Sequence, residues 1–459
     1  MMTINPDLWA REVFGTAQLG DKRRTNRLVV LASSLAQHTG ESLVKSSHSA
    51  ADMEAAYRLI RNSAVDSNQI AEAGFVSCAQ QVGQYGLLLA LEDTTSLNFS
   101  HSSIRDELGH ISNHKSQRGI FAHSVLLYSP EHEQLLGLIE QSRWTRDLNT
   151  YGKKRKRGQV PYEEKESYKW QQASERISER LGGALNKVIS VCDREADIYE
   201  YLAYKSEHNQ RFLVRSLHNR RLSDNDDRLY YFTDQLQPAG TRQIDIMQRG
   251  GRKARTVMLD IRFSAVCLKA PDNKEGDDIS MYYVGCSEQD QGGLHWHLLT
   301  SETVETAEEA QKIVEYYEHR WLIEDYHKAW KTGGTEVEDQ RMQSLENMER
   351  MIVILAFVAT RVLQLRFIGI QGSKSPEQNC ESVLSPLAWK LLWLKREKSS
   401  LPDQPPSLYW AYLNLAKLAG WYDSKRTGRV GWPTLWEGWF KLQSMIEGYM
   451  LAQSPQNDL

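Results

Sequence analysis

The sequence is short of several features that would place it in a special class of protein. No run of about 18 apolar residues occurs among its 459, which argues against a membrane-spanning helix. The N-terminus, MMTINPDLWAREVF, lacks the charged and then apolar plan of a secretory signal. Its five cysteines are scattered without a CxxC pair, which argues against a disulfide framework or a zinc site. We therefore expect a cytoplasmic protein with reduced thiols and no membrane partner.

The chain also lacks a surplus of basic residues. Its formal net charge is −3, whereas domains that bind nucleic acid over a wide surface are usually basic. Hydrophobic residues make up 41% and charged residues 25%, as in an ordinary globular protein. Any nucleic-acid site must therefore be local.

The pattern along the chain predicts three zones, with no internal repeat. Residues 1–68 and 371–459 show helical periodicity, and residues 69–370 show a mixed α/β pattern. Apolar runs after Gly86 predict three strands, a helix, a strand, a helix and a strand. Short connections indicate that the first three strands form an antiparallel meander, and helical crossovers place the later strands parallel to the first. Short strands at about 221–303 predict a β-rich insertion.

Two aspartates follow apolar runs of this zone. Asp93 follows LLLALE and Asp193 follows VISVC, so we expect each at the C-terminal tip of a buried strand. An aspartate at a strand end is most often only a turn or helix cap. If the two strands are neighbours, however, the two carboxylates lie side by side at the edge where ligands bind.

The segment YYEHRWLIEDYHKAWK, from Tyr316 to Lys331, mixes aromatic, acidic and basic residues. On one predicted helix, Tyr317, Arg320, Glu324 and Lys331 project from the same side. A solvated ladder of ion pairs is the commoner explanation for such a face. Together with the two aspartates, Glu324 would instead complete a set of three carboxylates, which suits two-metal phosphoryl transfer.

Basic residues form three local clusters, at 22–27, 153–157 and 425–429. The first follows Asp21, a predicted helix cap, and contains Arg23, Arg24 and Arg27. Each cluster alone is more often a solvated surface than a DNA contact. Three of them in a chain of negative net charge favour local contacts with DNA.

The motifs together identify a family. LEDTTSL surrounds Asp93, VCDREADI surrounds Asp193, and Tyr317-x2-Arg320-x3-Glu324-x6-Lys331 gives a Y-R-E-K signature. Further likeness lies in LGDKRRTNRL, AYRLIRN, FLVRS, NMERM, DSKRTG and WEGW. With these motifs in this order, the chain resembles the DDE transposases of the bacterial insertion-sequence-four group over nearly its whole length.

The resemblance implies a ribonuclease-H-like catalytic core of mixed sheet, interrupted by the β-rich insertion and flanked by helical domains. Asp93, Asp193 and Glu324 would hold two Mg²⁺ ions, for which Mn²⁺ can substitute. The reaction would be nicking at the transposon ends, excision through a DNA hairpin with a flipped base, and strand transfer by the freed 3′-hydroxyl. Residues 1–68 would bind the DNA ends, and residues 371–459 would form a homodimer interface in a bacterial, nucleoid-associated complex.

The resemblance also assigns residues to DNA contact. Tyr317, Arg320 and Lys331 would grip phosphates around the flipped base, and Trp296 would stack on that base, although a core tryptophan is an equally good interpretation. The weaker assignments are Arg215 and Lys328. The dimer surface would be the apolar stripe Trp432, Leu435, Trp436, Trp439, Leu442, Ile446 and Tyr449, although internal core is the other interpretation of this stripe.

Two other functions remain open. One is a catalytically silent repressor or inhibitor derived from a transposase, and the other is a stand-alone nuclease that joins no strands. The intact acids and Y-R-E-K set disfavour the first. The basic N-terminal segment and the tryptophan-rich C-terminal helix disfavour the second.

Overall fold

The structure is a computed structural model, and it describes residues 5–47, 49–99, 103–112, 114, 116–150, 160–223, 227–246, 255–288, 293–374, 378–382, 384–422 and 430–453. The basic clusters at 153–157 and 425–429 lie outside these residues.

Helices occupy both ends of the chain, and strands its middle. The α-helices are α1 Pro6–Phe14, α2 Lys22–Gln37, α3 Leu43–Ser46, α4 Ala50–Ile60, α5 Ser67–Ala79, α6 Lys169–Leu181, α7 Tyr199–Glu207, α8 Leu229–Asp234, α9 Ala307–Glu318, α10 Trp321–Lys331, α11 Leu345–Lys374, α12 Pro386–Arg396, α13 Leu408–Leu418 and α14 Trp432–Ala452. The strands are β1 Leu88–Asn98, β2 Gly109–His110, β3 Arg118–Ser129, β4 Gln134–Trp144, β5 Val188–Cys192, β6 Arg211–Arg215, β7 Gly240–Ile246, β8 Arg255–Leu268, β9 Ile279–Glu288 and β10 His295–Thr300.

All of these strands join one mixed sheet, in which β3, β1, β5, β6, β10, β9, β8 and β7 follow one another. Strand β3 is antiparallel to β1 and carries β2 and β4 on its other side. Strands β1, β5 and β6 run parallel, with the crossover helices α6 and α7 between them. The predicted meander and parallel strands are thus confirmed, and so is the expected α/β class with a mixed sheet between helical ends.

The predicted β-rich insertion contains α8 and strands β7 to β10. These strands are antiparallel to one another, and β10 pairs with β6. The insertion therefore lengthens the central sheet rather than forming a separate sheet. Its last strand leads into α9, whose start is fixed by a capping box between Thr306 and Glu309.

The terminal helices share a core with the sheet. The largest cluster of buried apolar residues runs from Trp9 in α1 through α11 to Trp436 in α14. The predicted boundaries at 68/69 and 370/371 fall inside α5 and α11, so a helix crosses each of them. Arg350 of α11 is buried and donates to the main-chain carbonyls of Ile60 and Val65, which ties the N-terminal helices to the centre.

The apolar stripe of α14 is used partly within the chain. Trp436 and Leu442 are buried, and Trp439 packs against the same clusters. Tyr449, near the end of the helix, is 39% exposed. The inner part of the stripe is therefore core, and the homodimer interface stays a prediction for its outer end.

Two expectations from composition can be compared with the fold. All five cysteines lie in the described residues, none is bonded to another, and four are buried. No helix in the part of the chain that the structure describes is long and apolar enough to cross a bilayer.

Candidate active site

The two aspartates lie side by side on neighbouring parallel strands. Leu91 of β1 is paired with Val191 of β5, and each aspartate comes two residues later. Asp193 directly follows β5 and also acts as a cap, since its Oδ1 accepts from the main-chain N–H of Glu195 at 2.8 Å. Both interpretations of this residue, site carboxylate and cap, are compatible with its place at the strand tip.

The predicted position of Asp93 at the end of its strand was wrong. Strand β1 continues to Asn98, because β3 goes on pairing with residues 94–98 after the shorter β5 has ended. Asp93 therefore lies in the middle of β1, level with the tip of β5. Strand β3 pairs with β1 on both sides of Asp93. The backbone around Asp93 is therefore held in the sheet, whereas the backbone beyond a strand end would be free.

The segment that carries Glu324 was predicted as one helix, and this was wrong too. Helix α9 ends at Glu318 and α10 begins at Trp321. Across the junction the main chain makes tighter bonds over three residues, from Arg320 N–H to Tyr317 C=O and from Ile323 N–H to Arg320 C=O, each 3.1 Å. Arg320 is thus placed at the junction between the two helices.

The guanidinium of Arg320 joins two of the three acids. Its Nη1 lies 3.7 Å from Asp93 Oδ2, and its Nη2 donates to Glu324 Oε1 at 2.9 Å. The Arg320 side chain is only 9% exposed, so this cation is held inside the protein. The fold thus brings Glu324 of α10 close to Asp93, beside the tip of β5 that Asp193 follows.

The site has more negative charge than its surroundings stabilise. Burial raises the pKa of Asp93 to about 6, with Asp193 and Glu324 adding to the rise and Arg320 opposing it. Burial also raises the pKa of Asp193. Carboxylates that repel one another in a poorly hydrated site favour a bound cation.

The donor set fits hard divalent cations. Carboxylates are the ligands that Mg²⁺ and Mn²⁺ prefer, and the Asp93 and Glu324 side chains remain 21% and 23% exposed. Within the described residues, however, no group of three or more His, Cys, Asp or Glu side chains is arranged so that it could hold a metal ion. Arg320 accounts for this in part, because it already pairs with two of the acids.

Sequence reasoning missed His327, whose Nδ1 lies 3.9 Å from Asp93 Oδ2. Burial, with Lys331 and other cations nearby, lowers the pKa of this imidazole to about 3, so it is neutral near pH 7. The signal was present, because His327 follows Glu324 by three positions and Arg320 by seven on the same helical face. A neutral ring beside Asp93 adds bulk and polarity without adding charge.

Trp296 packs against Tyr317, whose phenol lies near Arg215. Trp296 is 5% exposed and meets Tyr317 edge to face, with ring centroids 5.1 Å apart. Burial raises the pKa of the Tyr317 phenol. Arg215, at the end of β6, donates to the main-chain carbonyl of His295 at 3.2 Å. Here Trp296 is a core ring, and a stacking role requires it to become exposed.

The two predicted lysines differ in environment. Lys331 is half-buried, and burial lowers the pKa of its ammonium while Glu338 and Asp93 oppose the shift. Lys328 is 60% exposed and lies 3.5 Å from Asp325, so it points away from the acids. Lys331 is therefore the lysine that α10 directs toward the site.

The N-terminal arginines lie on α2, which Asp21 caps as predicted. The Arg23 side chain is 90% exposed and pairs with Asp21 at 2.8 Å. Arg24 donates to the main-chain carbonyl of Leu19 at 2.8 Å, and Arg27 lies 3.3 Å from Asp52. Arg23 is thus the most accessible of the three arginines, whereas Arg24 is bonded to the segment that precedes α2.

Comparison with known families places this geometry in context. The family model described as "Transposase DNA-binding" matches residues 6–65, and the model described as "Transposase DDE domain" matches residues 127–361, about half of the chain. This chain belongs to the DDE transposase family. Asp193 and Glu324 of this transposase lie inside the matched span, and Asp93 precedes it.

One solved structure can be compared with this transposase. It is the cryo-EM structure of the piggyBac transposase synaptic complex with hairpin DNA, which is 9% identical to this chain. The alignment covers 99% of this chain and 83% of that one, with a TM-score of 0.41. A TM-score of this size is too low to transfer details of the site.

Proposed function

We propose that this transposase moves a DNA element by metal-dependent cutting at its two ends and joining to a new site. The observation that supports the proposal best is the pairing of Asp93 and Glu324 with the same guanidinium, next to the tip of the neighbouring strand that Asp193 follows. The Y-R-E-K set and the other motifs further support an insertion-sequence-four enzyme similar to the transposase of transposon five.

The reaction is hydrolysis followed by transesterification. In the first step, water attacks the phosphorus of a phosphodiester at the transposon end, the bond to the 3′-oxygen breaks, and that oxygen leaves as a 3′-hydroxyl. In the second, a 3′-hydroxyl attacks a target phosphodiester and displaces the 3′-oxygen of the target strand. By the same resemblance, excision between these two steps proceeds through a hairpin. The freed 3′-hydroxyl attacks the phosphodiester of the opposite strand and displaces the 3′-hydroxyl of the flanking DNA, and a second water then hydrolyses the hairpin and restores the 3′-hydroxyl.

The residues of the site divide the work. Asp93, Asp193 and Glu324 would hold two Mg²⁺ or Mn²⁺ ions, which when bound lower the pKa of the attacking water or hydroxyl and stabilise the leaving oxygen. Arg320, which pairs with Glu324 and lies close to Asp93, would bind a DNA phosphate beside these acids. Lys331 and Arg215 would position the same backbone.

The test is cleavage of DNA that carries the inverted repeats expected beside the coding region. We expect nicking at the repeat boundary with Mg²⁺, none with a chelator, and none with Asp193→Asn. Asp403→Asn, at an exposed aspartate in the loop before α13, serves as the matched control and should cut normally.

Binding of the repeats without any cut by the wild-type protein would contradict the proposal and favour the silent repressor or inhibitor. Cutting without joining would favour the stand-alone nuclease. Gel-filtration mass measurement of the protein with two cut ends tests the homodimer, for which we expect two chains and two DNA ends in one complex.

A further inference from the structure

A buried polar group lies behind the active site on the other face of β1. Successive residues of a strand point to opposite faces, so Glu92 and Thr94 face away from the side on which Asp93 meets Arg320. The Glu92 side chain is fully buried, and so is that of His123 on β3. None of these residues has a part in the chemistry proposed above.

His123 contacts both neighbours of Asp93. Its Nδ1 lies 3.0 Å from Thr94 Oγ1, and its Nε2 lies 3.5 Å from Glu92 Oε2. Thr94 in turn donates its main-chain N–H to Asp93 Oδ1 at 2.8 Å. One imidazole thus links the residue before Asp93 with the residue after it.

The ring of His123 is itself fixed from outside. It meets Trp170 of α6 edge to face, with centroids 4.6 Å apart. Thr94 and His123 are also directly paired in the β1–β3 ladder. The imidazole therefore has little freedom, and it can restrain the part of β1 that carries Asp93.

The arrangement is costly as plain core packing. A buried carboxylate needs strong hydrogen bonds, yet within the described residues neither oxygen of Glu92 has one, and the 3.5 Å contact with His123 is longer than a well-formed bond. Lys205 is nearby but donates to Ser190 and Gln210 instead. An apolar pair would fill this place at lower cost.

We propose that His123 is a positioning residue for Asp93. By joining Thr94 and Glu92 it holds the strand in one conformation, so that the Asp93 carboxylate stays aimed toward Asp193 and Glu324 before a cation arrives. This inference rests on the proposed function only in taking Asp93 as a metal ligand. Groups that orient metal ligands typically change metal affinity or activity 10- to 100-fold when removed.

The test acts on Thr94, because removing His123 would leave Glu92 buried without its nearest partner and could prevent folding. Thr94→Val keeps the shape and the main-chain N–H but removes the hydroxyl that meets His123. Thr94→Ser keeps the hydroxyl. Thr241→Val, at an exposed strand threonine of β7, is the matched control.

Two quantities are measured for each protein: Mn²⁺ affinity, from the loss of the free-ion electron paramagnetic resonance signal, and the Mg²⁺ concentration at half-maximal nicking. For Thr94→Val we expect Mn²⁺ binding about tenfold weaker and a matching rise in Mg²⁺ requirement, with unchanged binding of the repeat DNA. Thr94→Ser and Thr241→Val should behave as the wild type does.

Unchanged metal affinity in Thr94→Val would overturn the inference, even if its melting temperature fell, because a purely structural role predicts that pattern. Equal losses in Thr94→Ser and Thr94→Val would overturn it as well. If the wild type binds Mn²⁺ but does not cut, the proposed function fails while the Mn²⁺ comparison still decides the role of His123. If the wild type binds no Mn²⁺, both fail.

Discussion

When no cation is bound, the charged side chain of Asp93 should destabilise the folded protein. Burial raises its pKa from 3.8 to about 6, and Arg320 offsets only part of that rise. We predict that Asp93→Asn abolishes DNA cleavage and, in the absence of divalent cations, stabilises the protein near pH 8. The asparagine keeps the shape of the side chain but carries no charge to be desolvated.

The magnitude follows from the pKa. Because the folded-state pKa is raised, the favourable contribution of Asp93 is fully present below pH 3.8 and is lost as the pH rises through about 6. The difference of about two pKa units costs about 3 kcal/mol at pH 8, and about half of that at pH 5. If the 459 residues unfold as a unit, 3 kcal/mol corresponds to about 3 °C in melting temperature.

The assay is scanning calorimetry of both proteins in a chelator at pH 8 and at pH 5. Asp93→Asn should melt higher at pH 8, by a margin that shrinks at pH 5, while Asp403→Asn should match the wild type at both. Added Mg²⁺ should raise the melting temperature of the wild type but not that of Asp93→Asn. An Asp93→Asn protein that melts at or below the wild type at pH 8 would refute the reasoning, as would a gain that does not change with pH.

Three further predictions concern packing and DNA contact. Trp296→Ala should lower the free energy of unfolding by about 3–5 kcal/mol in denaturant titrations, and a loss below about 1 kcal/mol would contradict its place in the core. Arg23→Gln should leave the melting temperature unchanged. It should reduce the slope of log DNA-end affinity against log salt concentration by the amount that about one phosphate contact contributes, and an unchanged slope would exclude that contact. Arg350→Leu should cost about 2–5 kcal/mol, since the carbonyls of Ile60 and Val65 lose their donor. Hydrogen exchange should then quicken at the end of α4, and slow exchange there would count against this role.

Much of the fold follows from local patterns. The order of strands and helices between β1 and β6 is determined by apolar runs and by the connections between them. The parallel pairing of β1, β5 and β6 follows because helical crossovers leave few other topologies. The caps of α2 and α9 are likewise encoded locally, at Asp21 and at the Thr306–Glu309 pair.

What the local pattern could not predict depends on partners far away in sequence. Strand β1 runs past Asp93 because β3 is longer than β5, and the segment around Arg320 bends although its periodicity is continuous. Whether Trp296 faces the solvent or the core was open in the sequence, and its contact with Tyr317 places it in the core.

By itself, the sequence determined the family, the choice of three acids proposed as metal ligands and the face of α10 that carries one of them, because these depend on residue type and spacing along the chain. Only the tertiary structure decided that Arg320 stands between Asp93 and Glu324 and that His123 links Glu92 to Thr94. Those contacts join residues from different elements. Their energies depend on burial and on the summed charge of the site, which exist only once the sheet and the helices have packed together.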